Sequence, residues 1–153
     1  MCPPPDAPDA AHADYLERLA GNFTRVIPHA RAIGVRVLEL RRGLARCELP
    51  LRPEFLADPG RGRVSNGIVT TLVDSTAGLA VFAALDAPER VATLDLRMDY
   101  LRAGDADEPL RCESECFRLT RHIAFVRSRV WQHGADGDLA VSQGAFMRAG
   151  KSS

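Results

Sequence analysis

Residues 67–85 carry the stretch that decides the fold, GIVTTLVDSTAGLAVFAAL. The stretch is too long for a single strand, and its side chains are apolar on nearly every side of a helix. A helix that is apolar all round is normally buried inside a domain. The residues that follow, Asp86, Ala87 and Pro88, end the pattern. We therefore predict a buried central helix over residues 67–85.

Beyond this helix the apolar pattern changes to a period of two. Residues 92–100 alternate apolar and polar side chains, which is typical of a half-buried strand. Short connections between the later strands indicate antiparallel neighbours. The remaining strands are predicted at residues 34–40, 44–51, 110–119, 123–131 and 139–147.

The segments before the first strand complete the predicted domain. Residues 10–26 place apolar side chains on one stripe, which predicts a helix that Pro28 limits. Residues 53–64 are predicted to form a loop. One buried helix with five or six mostly antiparallel strands predicts an α+β domain. Its sheet curls around the helix, because no other element is able to cover it.

The domain predicted in this way spans residues 10–148. Residues 1–9 are expected to form a disordered N-terminal tail, since the segment is rich in proline. Residues 149–153 are expected to form a C-terminal tail. No internal repeat or interdomain linker is visible in the sequence.

Composition excludes several classes of function. The formal net charge is +0, which argues against a dedicated nucleic-acid or membrane-surface protein. Residues 64–85 are apolar enough to raise the question of a membrane span, but Asp74 and three threonines argue against one. We therefore expect no nucleic-acid partner and no membrane.

The cysteines give no sign of a metal site or a disulfide framework. Cys112 and Cys116 lack the second Cys or His pair of a zinc site, and are expected as small apolar residues on one face of a strand. We therefore predict no metal. A chain without a disulfide framework is typical of the reducing cytoplasm, which is the expected location.

Asp74 is the outstanding chemical feature of the helix. It is the only ionisable residue between Arg63 and Asp86. Removing a carboxylate from water costs several kcal/mol, so such a group usually has a partner or a chemical role. Two interpretations remain open: an ion pair with an arginine of a neighbouring strand, or a general base or nucleophile.

The start of the helix offers a second chemical feature. Backbone N–H groups at Asn66 and Gly67 have no partner within the helix, and the helix dipole adds positive potential there. Such an end is able to polarise a carbonyl and hold an oxyanion. The alternative is that Ser65 and Asn66 simply cap the helix.

Other candidate residues are less distinctive. Thr93 is on the polar face of its strand, where a solvent-facing side chain is the simpler interpretation. Arg102 and Arg121 are candidates to contact phosphates, although for each of them a solvated surface charge is the simpler interpretation. The sequence contains no G-x-S-x-G, H-E-x-x-H or Walker A string.

Taken together, these residues resemble a known family. The stretches SNGIVTTLVDSTAGLAVFAAL and VATLDLRMDYLRAG are similar to hotdog-fold thioesterases related to the phenylacetate-pathway thioesterase. That family has His-Gly-Gly at the helix start, an acid nine residues after the His, and a strand ending in Tyr-Leu-Arg-Pro. Here Asp74 lies nine residues after Ser65, and residues 100–103 are Tyr-Leu-Arg-Ala. Ser65 and Asn66 stand in place of the family's His and first Gly.

The resemblance implies a fold, a reaction and a set of roles. It implies a long central helix wrapped by a curled antiparallel sheet, in homodimers or homotetramers with active sites across the dimer interface. It also implies hydrolysis of an acyl-CoA thioester, with no cofactor beyond the CoA of the substrate. Asp74 would be the nucleophile or general base, the Asn66 N–H would polarise the carbonyl, and Thr93 would place water or substrate. The predicted substrate contacts are Ser65, Gly67, Arg102 and Arg121.

Two other functions remain as alternatives. A hotdog protein that binds acyl-CoA or another small molecule without efficient turnover is compatible with the changed residues Ser65 and Asn66. Hydratase or dehydratase chemistry on the same fold resembles a different pattern, in which a histidine pairs with an acid on the helix. Leu79 lies five residues after Asp74, and the helix contains no histidine.

Overall fold

The computed structural model describes residues 10–149. Within that range the helices are α1 (Ala10–Val26), α2 (Pro28–Ile33) and α3 (Asn66–Ala84). The strands are β1 (Arg36–Arg41), β2 (Leu44–Leu49), β3 (Leu56–Asp58), β4 (Arg63–Val64), β5 (Val91–Tyr100), β6 (Leu110–Leu119), β7 (Ile123–Trp131) and β8 (Ala140–Arg148). The tail predicted at residues 1–9 lies outside the described residues, and so do residues 150–153 of the tail predicted at residues 149–153. Ala149 is described, and its N–H donates to the Arg90 carbonyl at 3.0 Å.

Six strands form one antiparallel sheet in the order β1-β2-β6-β7-β8-β5. Helix α3 packs against β2, β5, β6 and β7, so strands from both ends of the sheet reach it. This is the predicted α+β arrangement of a long helix wrapped by an antiparallel sheet. Helix α1 adds to the core through Tyr15, Leu16 and Phe23.

Helix α3 is the centre of the hydrophobic core. Leu72, Val73, Leu79 and Ala80 are fully buried against sheet side chains. By length and composition α3 resembles a membrane span, but more than half of it is buried within the domain. It is therefore the core helix of this fold.

One side of α3 is not covered, which corrects the prediction of complete burial. Its partly or fully exposed residues include Gly67, Thr70, Thr71, Asp74, Ser75, Gly78 and Phe82. These residues recur at intervals of three and four, so they lie on one side of the helix, which we call the open stripe. The sheet of a single chain covers only the opposite side.

Residues 53–64 were predicted to be a loop, and this prediction was wrong. They contain the two-stranded hairpin β3–β4 and two single turns of 3₁₀ helix, Pro53–Phe55 and Pro59–Arg61. Proline is compatible with the first position of each turn, because that position needs no N–H donor. The carboxylate of Asp58 caps the second turn by accepting from the Arg61 N–H at 3.1 Å. Pro28 likewise begins α2 instead of only ending α1.

The outer face of the sheet carries paired charges. Arg46 bridges Glu39 and Glu113, and Arg111 donates to Glu48 at 3.0 Å. A hydrogen bond from Arg41 and the nearby guanidinium charges hold the pKa of Glu39 below its usual value. These cross-strand pairs belong to a face that meets water, in contrast with the apolar inner face.

The inner face of the sheet holds the cysteines in the expected role. Cys47 and Cys112 are register partners on β2 and β6, and both are fully buried. Burial raises the pKa of Cys47 to about 11 and that of Cys112 to about 12. Cys112 and Cys116 share the buried face of β6, which confirms the prediction of small apolar residues.

Gly104 packs closely against Val64, which lies just before α3, and against Leu139. The Val64 N–H donates to the Gly104 carbonyl at 3.0 Å. A Cβ atom at residue 104 would lie 2.6 Å from Leu139 Cδ1 and 3.3 Å from Val64 Cβ. We expect Gly104→Ala to lower the free energy of unfolding by about 1–3 kcal/mol, measured by urea denaturation.

The control is Gly21→Ala on α1, where a Cβ would meet nothing within 4 Å. This substitution should raise stability by up to about 1 kcal/mol, because alanine is the better helix former. Equal stability of the two variants would contradict the close packing around Gly104.

Candidate active site

The Asp74 carboxylate is held by a threonine of the edge strand. Thr93 Oγ1 donates to Asp74 Oδ1 at 2.8 Å. The contact depends on a β-bulge in β5: Thr93 pairs with Phe146 and Asp95 pairs with Ala145, which leaves Leu94 as an extra residue. The bulge places Thr93 on the same side of the strand as Leu96 and Met98, which pack against the core. Thr93 is exposed, as the simpler interpretation expected, but its hydroxyl is bound to Asp74.

Asp74 itself lies on the open stripe and is partly exposed. Among residues 10–149 it forms no ion pair with an arginine, so the interpretation as a structural ion pair is not supported. Thr70 and Thr71 do not bind it either, because their hydroxyls donate to the Asn66 and Gly67 carbonyls at 3.1 and 2.9 Å. The carboxylate thus keeps one oxygen on Thr93 and the other available to a ligand.

The start of α3 presents an available backbone donor. Ser65 is the N-cap, and its Oγ accepts from the Gly67 N–H at 3.2 Å. Asn66 is the first helical residue and is exposed. No acceptor for its N–H lies within the described residues. The capping interpretation is therefore correct for Ser65, while the Asn66 N–H remains available to a ligand.

Sequence reasoning missed Tyr100, which fixes the helix start to the edge strand. Its hydroxyl donates to the Asn66 carbonyl at 3.1 Å and lies 2.5 Å from Thr70 Oγ1. Tyr100 was noted only as part of the strand end Tyr-Leu-Arg. Its position on the apolar side of an alternating strand is the signal that would have placed it against α3.

The two chemical features lie at a fixed separation on one helix. Asn66 and Asp74 are eight residues apart, which is about 12 Å along the helix axis. A single thioester carbonyl is too small to contact both the Asn66 N–H and the Asp74 carboxylate of one chain.

The two predicted arginines lie at opposite ends of β5. Arg102 follows the strand, near Tyr100 and the helix start, and its Nη1 donates to the Ala103 carbonyl at 3.2 Å. Its Nε is buried without a partner in the described chain. Arg121 is exposed in the turn between β6 and β7. The next residue, His122, accepts a hydrogen bond at its carbonyl from the Arg148 backbone N–H. Since Arg148 pairs with Val91, this turn lies near the beginning of β5.

No group of three or more His, Cys, Asp or Glu side chains is arranged to hold a metal ion in residues 10–149. The groups available here are the Asp74 carboxylate, held by the Thr93 hydroxyl, and the Asn66 backbone N–H. These groups suit a reaction in which a carboxylate acts on a carbonyl and an N–H stabilises the resulting oxyanion.

Comparison with known proteins identifies similar chains. Residues 61–152 match the thioesterase superfamily. The chain is 40% identical over 122 residues to a Halobacterium salinarum protein named "Putative esterase", covering 74% of this chain and 80% of that protein.

Solved structures show the same architecture. A Pseudomonas aeruginosa protein matches with a TM-score of 0.76 and 31% identity, covering 87% of this chain and 98% of that one. A mutant of a phenylacetic acid degradation protein from Thermus thermophilus matches with a TM-score of 0.69 and 29% identity, covering 79% and 98%. These similarities confirm the predicted hotdog fold and the predicted family resemblance.

Proposed function

Because this chain belongs to the thioesterase superfamily, we propose that it hydrolyses acyl-CoA thioesters to a carboxylic acid and free CoA. Membership of the superfamily supports thioester hydrolysis in general, and the acyl-CoA substrate is the more specific proposal. The observation that carries it is the hydrogen bond from Thr93 to Asp74 on the open stripe. The same helix also presents the Asn66 N–H, which has no acceptor in the described residues. No cofactor is proposed beyond the CoA of the substrate itself.

The complete site is proposed to form between two subunits. A two-fold axis that brings Asn66 of the first chain to Asp74 of the second also brings Asn66 of the second chain to Asp74 of the first, because such an interface is self-complementary. Two α3 helices then run antiparallel along their open stripes, with Thr70 nearest the axis. The small side chains of the stripe, such as Gly67 and Ser75, allow this close approach. We therefore propose a homodimer as the smallest active unit, or a homotetramer built from two such dimers.

The proposed reaction assigns a role to each group. Asp74 either takes a proton from water as the water attacks the thioester carbonyl, or attacks that carbonyl itself to give an anhydride that water then opens. The Asn66 N–H of the other subunit holds the developing oxyanion, an effect worth about 3 kcal/mol for one donor. In the first route the C–S bond then breaks, and the CoA thiolate takes the proton that Asp74 received from water. In the second route the C–S bond breaks as the anhydride forms, and the thiolate is protonated when water opens the anhydride. Thr93 holds one oxygen of Asp74, so that the other faces the carbonyl.

The remaining predicted contacts keep supporting roles in the proposal. Ser65 and Gly67 shape the helix start, since the Ser65 hydroxyl already binds the Gly67 N–H. Arg102 lies at the Asn66 end of β5 and Arg121 at the other end. We propose them as contacts to the phosphates of CoA, one supplied by each subunit. Cytoplasmic location is likewise proposed, and the unbridged thiols of Cys47 and Cys112 support a reducing compartment.

The alternative is a protein that binds acyl-CoA without efficient turnover. It rests on Ser65 and Asn66, which replace the imidazole and the first glycine of the family pattern. The available Asn66 N–H favours catalysis, because a backbone donor does not depend on the side chain of its residue.

The first prediction from the proposed function concerns the Asp74 carboxylate. Asp74→Asn should lower kcat for acyl-CoA hydrolysis by about 10²–10⁴-fold, because an amide is neither a base nor a useful nucleophile. Release of free CoA is followed with a thiol reagent. The melting temperature should change little, since the amide oxygen still accepts from Thr93. Asp107→Asn is the control. It changes an exposed carboxylate in a loop and should leave turnover unchanged. A fully active Asp74→Asn protein would sink the assignment.

The second prediction separates the Asn66 backbone from its side chain. Asn66→Gly keeps the N–H and should retain activity within about tenfold. Asn66→Pro removes the N–H and should lower kcat by about a hundredfold or more. Proline is favoured at the first helical position, and Ser65 already has the extended backbone that precedes proline (φ −68°, ψ 133°). Circular dichroism should therefore show both variants folded. Equal activity of the two folded variants would exclude the N–H as oxyanion donor.

The third prediction tests whether the site is shared. A mixed dimer of one Asn66→Pro chain and one Asp74→Asn chain, isolated with two affinity tags, contains one intact site if the halves come from different subunits. It should regain about half the activity of the wild-type dimer, whereas each parent homodimer keeps about a hundredth or less. A site contained within one chain would leave the mixed dimer inactive, because every chain then carries a defect.

A further inference from the structure

A cavity of about 500 Å³ lies between α1 and the C-terminal half of α3. Cavities of this size hold small organic ligands. Its apolar wall is formed by Leu19, Phe23, Val26, Ile27, Phe82 and Pro88. None of these residues has a role in the reaction proposed above.

The polar groups at the cavity edge are already bound to one another or to the chain. Tyr15 OH donates to the Phe82 carbonyl at 3.0 Å, and Glu89 is ion-paired with Arg148. Burial and the nearby Glu89 charge raise the pKa of Tyr15, so its hydroxyl stays protonated. Asn22 donates to the Arg18 carbonyl at 2.9 Å, and the Arg18 guanidinium is ion-paired with Asp14 at 3.2 Å. The cavity therefore favours an apolar ligand without a charge of its own.

The open stripe connects this cavity with the carboxylate. Asp74, Gly78 and Phe82 follow one another at four-residue steps on the same side of α3, over about 12 Å. Gly78 is partly exposed, and a Cβ there would meet only Phe146 Cε1, at an ordinary 3.9 Å. Internal packing thus does not require glycine at this position. Its missing side chain leaves a path from Asp74 to Phe82.

We propose that the cavity receives the far end of an unbranched acyl chain that passes over Gly78 from a thioester carbonyl at Asp74. This inference rests on the proposed function and defines its substrate class as medium- and long-chain fatty acyl thioesters. A phenylacetyl group is too short to extend from Asp74 past Gly78 into the cavity. Only an extended acyl chain reaches the apolar wall of the cavity and gains binding free energy there.

Chain-length kinetics test the proposal. The value of kcat/KM should rise from butanoyl- to octanoyl- to dodecanoyl-CoA, by about fourfold for each methylene that enters the cavity. Leu19→Trp fills the cavity and Gly78→Leu blocks the path. Each should lower the dodecanoyl-to-butanoyl ratio of kcat/KM by about tenfold or more. Gly21→Ala, on α1 but with no neighbour within 4 Å, is the control and should leave the ratio unchanged. A ratio that both folded variants leave intact, or a wild-type preference for butanoyl-CoA, would overturn the proposal.

Binding of thioether analogues separates this inference from the proposed function. S-dodecyl-CoA and S-butyl-CoA have no carbonyl to hydrolyse, and their affinities are measured by isothermal titration calorimetry. Tighter binding of the dodecyl compound, lost in Leu19→Trp, supports the cavity even if no thioester is turned over. Equal binding of both compounds by the wild-type protein refutes it, even if thioesters are hydrolysed.

Discussion

The helix of residues 66–84 has to be enclosed, and the sheet of one chain is not wide enough to do so. Its apolar side meets β2, β5, β6 and β7, while the sheet leaves the open stripe uncovered in residues 10–149. The stripe carries Asp74, so incomplete enclosure gives the carboxylate its access to a ligand. The hydrophobic core and the candidate site thus lie on opposite sides of one helix.

The elements of the fold were largely predictable because their signals are local. The central helix was expected at residues 67–85 and spans Asn66–Ala84, and the first helix has the predicted bounds. Periodicity identifies such elements because a helix or strand repeats over many residues. It failed at residues 53–64, where the short hairpin and the 3₁₀ turns are set by single prolines and by the Asp58 cap. Periodicity also could not show which side of α3 the sheet would leave open.

The candidate site was predictable to the extent that it lies within α3. Asp74 and Asn66 stand out from their immediate neighbours, and the helix fixes their separation. The contacts from β5 depend on the tertiary fold. Thr93 reaches Asp74 only because the bulge at Leu94 shifts the alternation of the strand, and a period of two predicts the opposite side. Tyr100 reaches Asn66 because β5 crosses the start of the helix. Arg102 and Arg121 were both predicted to contact the substrate, but they lie at opposite ends of β5.

The position of Asp74 also matters during synthesis. The four strands β5 to β8 are all made after α3, and long-range pairing of this kind is slow to form. Until they exist, the ribosome has released an apolar segment long enough to cross a bilayer. An aspartate at the centre of such a segment opposes insertion by about 2.5–3.5 kcal/mol. The same carboxylate therefore disfavours insertion of this segment into a bilayer before its sheet has formed.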